Sequence, residues 1–140
     1  MNLRSLARGL LLWTVIATGC RHDAGSTAVR ADVLETGGRV FGERCSPCHG
    51  ATGHGNGPLA DSLPIRPRNY HREPFKWGTQ PSQIAATVRG GRSGVMPSFE
   101  GALTEREIQA VAYLVWSWVP ADRREQDPRP SLEGAPRGKR

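Results

Sequence analysis

The run Cys45-Ser46-Pro47-Cys48-His49 constrains this 140-residue chain more than any other feature of its sequence. On a helical turn, residues three and four apart share a face, so the two thiols point the same way and His49 stands one turn above Cys45. Two thiols so placed can each add to one vinyl group of a flat macrocycle, and the adjacent imidazole then faces the centre of the ring. Cys-x-x-Cys-His is the attachment signal for a covalently bound haem, and no other common cofactor needs these residues in this order. The same residues also admit a Cys45–Cys48 disulfide, a thioredoxin-like redox pair, or half of a zinc site. A thioredoxin-like pair belongs near a βαβ pattern, which is absent here. A tetrahedral zinc site needs more ligands, and only His22, His54 and His71 remain, with no second Cys pair.

The surroundings of this run are helical. From about Asp32 to Cys48, the residues Leu34, Gly37, Phe41, Cys45 and Cys48 recur every three or four positions. A second helix is announced by a capping box, Thr104 with Glu107, and by Leu103 and Ile108 at the two positions of a hydrophobic staple. Ile108, Val111, Ala112, Val115, Trp118 and Val119 then form an apolar stripe until Pro120 ends it. A shorter helix is expected from Pro81 to Arg89, closed by Gly90-Gly91. No run alternates like a strand, and 17 Gly with 11 Pro predict long loops between helices. The fold class is all-α.

The ends of the chain read differently from its middle. Arg4 and Arg8 precede an apolar stretch, Leu10 to Ala17, that runs into Thr18-Gly19, the pattern of an export signal over residues 1–19. The stretch is far short of the roughly 20 residues of a membrane-spanning helix. Residues 20–30 read as a polar tether, 31–120 as the domain, and 121–140, without apolar periodicity, as a disordered basic tail. The formal charge is +6, but Arg4 and Arg8 lie in the leader and the tail contributes +2 of the remainder. With no interleaving of basic and aromatic residues, the high pI does not point to nucleic acid.

Because the leader closes on Gly19-Cys20, it resembles a bacterial lipoprotein signal, although Ala17 stands where that family commonly has Leu. The resemblance implies Cys20 as the lipid-modified first residue of the mature chain, anchored on the periplasmic side of a membrane. The simpler alternative is an ordinary signal peptide and a soluble periplasmic protein.

An iron held by His49 needs a sixth ligand or an open face. Apart from the initiator, the chain has one methionine, Met96, within Gly94-Val95-Met96-Pro97-Ser98-Phe99 between two predicted helices. A lone Met usually fills a core gap, but a Gly-rich, Pro-stiffened loop can lay a thioether onto a flat ring. His54 and His71 are the rivals for that position. Arg89 and Arg92, the charged residues nearest the loop, read as solvated.

Across about ninety residues the chain resembles the class I c-type cytochromes. Gly37 and Phe41 match the first helix of that family, Tyr113 and Trp116 its last, and Cys45, Cys48 and His49 its covalent and proximal positions. Pro58, in Gly57-Pro58, matches the proline whose carbonyl orients the proximal imidazole, and Met96 matches the distal ligand. The resemblance implies a small fold of three to five helices around one haem c, with His49 and Met96 on the iron. It also implies one-electron transfer between redox proteins, with no catalytic residues. Alternatives are the electron-accepting subunit of a dehydrogenase or oxidase complex, or a haem peroxidase or ligand sensor with an open distal face. Arg68-Asn69-Tyr70 and Trp77 are expected near the haem propionates.

Overall fold

A computed structural model describes residues 24–124. Three helices carry the architecture: α1 (Ala24–Val40), α3 (Pro81–Gly90) and α4 (Glu105–Trp118), with the single turn α2 (Ser46–His49) between the first two. No strand forms among the described residues, where pairing is limited to isolated bridges at Arg92–Met96 and Glu100–Leu103.

Helix α1 buries Val33, Gly37 and Val40, a spacing of four and three that keeps one stripe against α4. The two helices approach most closely at Gly37. A methyl group there would stand 2.5 Å from the Ala110 carbonyl oxygen and 3.1 Å from Leu114 Cβ, so only glycine lets the backbones meet. Ion pairs Arg39–Glu107 (2.9 Å) and Arg106–Asp32 (2.5 Å) span the same crossing at the surface, where each contributes little.

The helix expected over 32–48 differs at both ends. Helical structure already begins at Ala24, within the segment expected as a tether. At the other end the helix changes pitch: Phe41–Cys45 form a π turn in which the Ser46 N–H donates to the Phe41 carbonyl five residues back. Pro47 supplies the physical reason, since it has no N–H and its ring presses on the carbonyl four residues before it. The extra residue rotates everything after Phe41, including the Cys-x-x-Cys-His run, relative to α1.

Helix α3 carries a capping box that the sequence did not signal, Gln80 with Gln83. Gly91 closes it at φ 64°, and a side chain there would collide with the Met96–Ser98 backbone. Helix α4 begins as expected: Thr104 accepts from the Glu107 N–H, and Glu107 Oε2 accepts from the Thr104 N–H at 3.0 Å. Its buried face is wider than the stripe read from the sequence, because Tyr113 and Trp116 are buried as well as Ile108, Val111, Ala112 and Val115. Phe41, Val40, Ile84 and Val88 complete the core.

The described residues run four positions past Pro120, into the start of the segment expected as a disordered tail. Ala121–Arg123 make a short 3-10 turn. Arg124 then donates to the carbonyls of Val119 (2.6 Å) and Ser117 (2.8 Å), and its guanidinium lies 4.8 Å from the Trp116 ring centre. The end of α4 leaves unpaired carbonyls, and a cation there satisfies both their hydrogen bonding and their charge. The expected leader, Cys20 and the tail beyond Arg124 lie outside the described residues.

Candidate functional site

One cleft of about 490 Å³ opens between the π turn, the 65–78 loop, α3 and the loop before α4. Phe41, Cys45, His49, Met96, Val111 and Val115 are among the residues that line it. Its surface is mostly aliphatic and aromatic, with the charged side chains of Arg66, Arg68, Glu73, Lys76 and Arg92 also on its lining.

The π turn and α2 bring the attachment run to this cleft. Cys45 is buried in the wall, and Cys48 is half-buried three residues on without lining the cleft; both are free thiols. Burial, with the neighbouring Cys48 adding to it, pushes the Cys45 thiol up to about 12. Burial also holds His49 down to about 4, so its imidazole is neutral at physiological pH, the form in which histidine ligates metals.

The 50–80 loop folds back over this face because the Tyr70 N–H donates to the Gly53 carbonyl at 2.9 Å. Tyr70 then stacks on His49, with ring centres 5.2 Å apart and planes 15° apart, and its Oη lies 2.8 Å from His49 Nδ1. Fixing one ring nitrogen in this way sets the orientation of the other. The sequence reading gave that role to the Pro58 carbonyl. In the structure Pro58 is exposed, and the described hydrogen bonds of the His49 ring run to Tyr70 instead. Burial pushes the Tyr70 phenol above its ordinary range.

Met96 reaches the cleft from a tight loop. The Arg92 N–H donates to the Met96 carbonyl (2.8 Å) and the Met96 N–H to the Arg92 carbonyl (2.9 Å), so the two residues close the loop as a pair. Ser98 Oγ donates to the Arg89 carbonyl at 2.7 Å and straps the loop to the end of α3. His54 and His71, the rivals to Met96, do not line the cleft. They stack on each other at 4.4 Å, and each also bonds to Thr52.

The two arginines expected to be solvated separate here. Arg89 forms a surface ion pair with Glu105 at 2.6 Å. Arg92, by contrast, lines the cleft with its guanidinium 4.0 Å from the centre of the Trp77 ring. Trp77 and Arg68 line the cleft too, whereas the Asn69 side chain turns away to accept from the His71 N–H.

These residues fit a haem. One thiol, a neutral imidazole and a thioether border one apolar cleft of suitable volume, the second thiol lies three residues on, and cationic and indole donors stand beside them to meet carboxylates.

Known proteins resemble the segment that contains this cleft. The family described as cytochrome C oxidase, cbb3-type, subunit III matches residues 32–115. The Cbb3-type cytochrome c oxidase subunit FixP of Bradyrhizobium sp. (strain ORS 278) is 32% identical over 81 residues, which are 58% of this chain and 26% of that one. The subunit CcoP of Cereibacter sphaeroides is 31% identical over 98 residues, 70% of this chain and 29% of that one. The chain thus spans between about a quarter and a third of the length of these relatives. Among solved structures, the Kuenenia stuttgartiensis reducing HAO-like protein complex Kustc0457/Kustc0458 superposes with a TM-score of 0.60 at 30% identity, over 68% of this chain and 47% of that one.

Proposed function

The chain belongs to the family of cbb3-type cytochrome c oxidase subunit III, as a cytochrome c electron-transfer domain with covalently bound haem c, and from that premise we propose that it passes single electrons between redox proteins on the periplasmic side of a membrane. The observation that carries this reading is the convergence of Cys45, His49 and Met96 on one apolar cleft.

In this reading Cys45 and Cys48 would hold the ring through two thioethers, and His49 and Met96 would be the residues that ligate its iron. A bound haem iron supplies a one-electron couple between its ferric and ferrous forms. An imidazole from His49 and a thioether from Met96 would together supply a ligand pair that favours a raised potential over harder ligand pairs. The Phe41, Val111 and Val115 walls exclude water and disfavour the more highly charged ferric form. Tyr70 Oη keeps the imidazole oriented, so little need move when an electron arrives. Cys20 provides a lipid anchor, which gives the domain a fixed address at the membrane.

A second reading is favoured by the relatives: the domain serves as an electron-delivering part of a terminal oxidase assembly. It uses the same residues and differs only in the partner.

The test is the visible spectrum of wild-type and Met96→Ala protein matured in a periplasm equipped for haem attachment. The expected result is a sharp reduced α-band that stays with the denatured chain, and a weak oxidised-state sulfur-to-iron band that Met96→Ala abolishes while lowering the potential. Colourless protein under competent maturation overturns the haem reading, and an unchanged potential in Met96→Ala removes Met96 from the iron.

A further inference from the structure

Residues 92–98 carry Met96 from the end of α3 to Phe99, which packs against the core. Before Met96 the segment closes on itself, through the two backbone bonds between Arg92 and Met96 and a third from the Val95 N–H to the Arg92 carbonyl. Beyond Met96 it is held from outside, by the end of α3. The backbone passes directly over Gly91, where a Cβ would stand 2.6 Å from Ser98 N and 2.7 Å from the Met96 carbonyl oxygen. Ser98 supplies the shortest bond of this seat: its Oγ donates to the Arg89 carbonyl at 2.7 Å and accepts from the Glu100 N–H at 3.2 Å. The backbone bonds beside it are longer, with the Phe99 and Glu100 N–H groups each 3.2 Å from the same Arg89 carbonyl. The last carbonyls of a helix have no partner within it, so the Ser98 hydroxyl satisfies an acceptor that α3 leaves open.

Resting on the haem reading above, we propose that Ser98 is a positioning residue, whose bond to the Arg89 carbonyl sets how readily Met96 is displaced by another ligand. Met96 and Ser98 are joined through Pro97, whose ring fixes one backbone torsion and leaves little slack between them. A Met96 that withdraws from the cleft carries the Ser98 hydroxyl off its carbonyl, so the bond favours the seated loop alone. An outside ligand binds only the unseated form, and its apparent affinity is lowered by the scarcity of that form. Losing the Ser98 bond makes the unseated form commoner and raises the affinity by the factor the bond was worth.

The test is a titration of the oxidised, haem-bearing protein with imidazole, whose nitrogen takes the place of the Met96 thioether. Ser98→Ala is expected to bind imidazole roughly threefold to tenfold more tightly than wild type, the factor one neutral hydrogen bond is worth. Ser98→Thr, which keeps a hydroxyl, should return close to wild type. Ser62→Ala removes a like bond, to the Leu59 carbonyl at 2.8 Å in the 60–62 turn, and should leave the affinity unchanged. Hydrogen exchange on the reduced protein supplies a second readout. Ser98→Ala should speed exchange of the Phe99 N–H and leave that of Ala112, in the middle of α4, as in wild type, which separates a loosened loop from a loosened fold. Equal imidazole affinity in wild type and Ser98→Ala overturns the proposal, as does an equal rise in Ser62→Ala or an α4 that loosens as much as the loop. Wild-type protein that matures colourless, or coloured without the sulfur-to-iron band, fails the haem or the Met96 reading and this proposal with it. Coloured protein that shows the band but whose imidazole affinity ignores Ser98 fails this proposal alone.

Discussion

At Gly37 a single hydrogen atom decides how two helices meet. The neighbouring Gly38 gives the control, because a methyl group built there meets nothing within 4 Å. Gly37→Ala is therefore expected to destabilise the fold by about 1–3 kcal/mol, the range for overpacking a tight contact. Gly38→Ala should be neutral or stabilising by up to about 1 kcal/mol, since glycine is the poorer helix former. Denaturant midpoints of both variants check this, and similar losses in the two would show that the α1–α4 approach is not what Gly37 serves. Tyr70 and Arg92 belong to the same scale but were not legible in the same way. Nothing local marks a tyrosine 21 residues beyond His49 as its hydrogen-bond partner. Arg92 looked solvated because Trp77, the ring its guanidinium covers, lies fifteen residues earlier in a loop.

Among the elements, α4 shows most clearly how local sequence fixes local structure. Its capping box was legible because it is written within four consecutive residues, and its partners need no tertiary contact to find each other. Thr104→Ala is expected to cost about 1 kcal/mol, the usual value of an N-cap. The Arg39 guanidinium, with Thr104 behind it, holds the Glu107 carboxyl down to about 2 from its ordinary 4.5. Because the folded value is the lower one, this stabilisation is complete above about 4.5 and is lost as pH falls toward 2. Glu107→Gln should accordingly be less stable than wild type by under about 1 kcal/mol at neutral pH. The difference should shrink to nothing near pH 2. Thermal melts across that range decide it, and a gap that does not change with pH would break the assignment. The π turn at Phe41–Cys45 was not legible: Pro47 announced that a ladder must break but not how the chain would absorb the break.

For the molecule as a whole, the cleft is both the site and a large share of the interior. Phe41 faces it while packing edge-on against Trp118, with ring centres 4.8 Å apart, and Val111 and Val115 face it from α4. A domain of this size buries a modest apolar core by itself, and a ligand bound to the folded form adds to its stability. The double variant Cys45→Ala/Cys48→Ala, unable to attach a haem, is therefore expected to lose its chromophore and its cooperative thermal transition together. Near-ultraviolet circular dichroism through a melt would show this, and a sharp transition retained without colour would mean that the three helices suffice. The sequence by itself determined the Cys-x-x-Cys-His spacing, the one methionine beyond the initiator, the helical class and the start of α4. Each of these rests on spacing within a few residues, where covalent geometry and hydrogen bonding act directly. Only the tertiary structure decided that His49 leans on Tyr70, that Arg92 is drawn from solvent to the lining of the cleft, that Arg124 closes the end of α4, and that Arg123 reaches the His71 carbonyl. Those outcomes depend on which distant segments come to share one desolvated space, and burial and charge pairing are properties of that space.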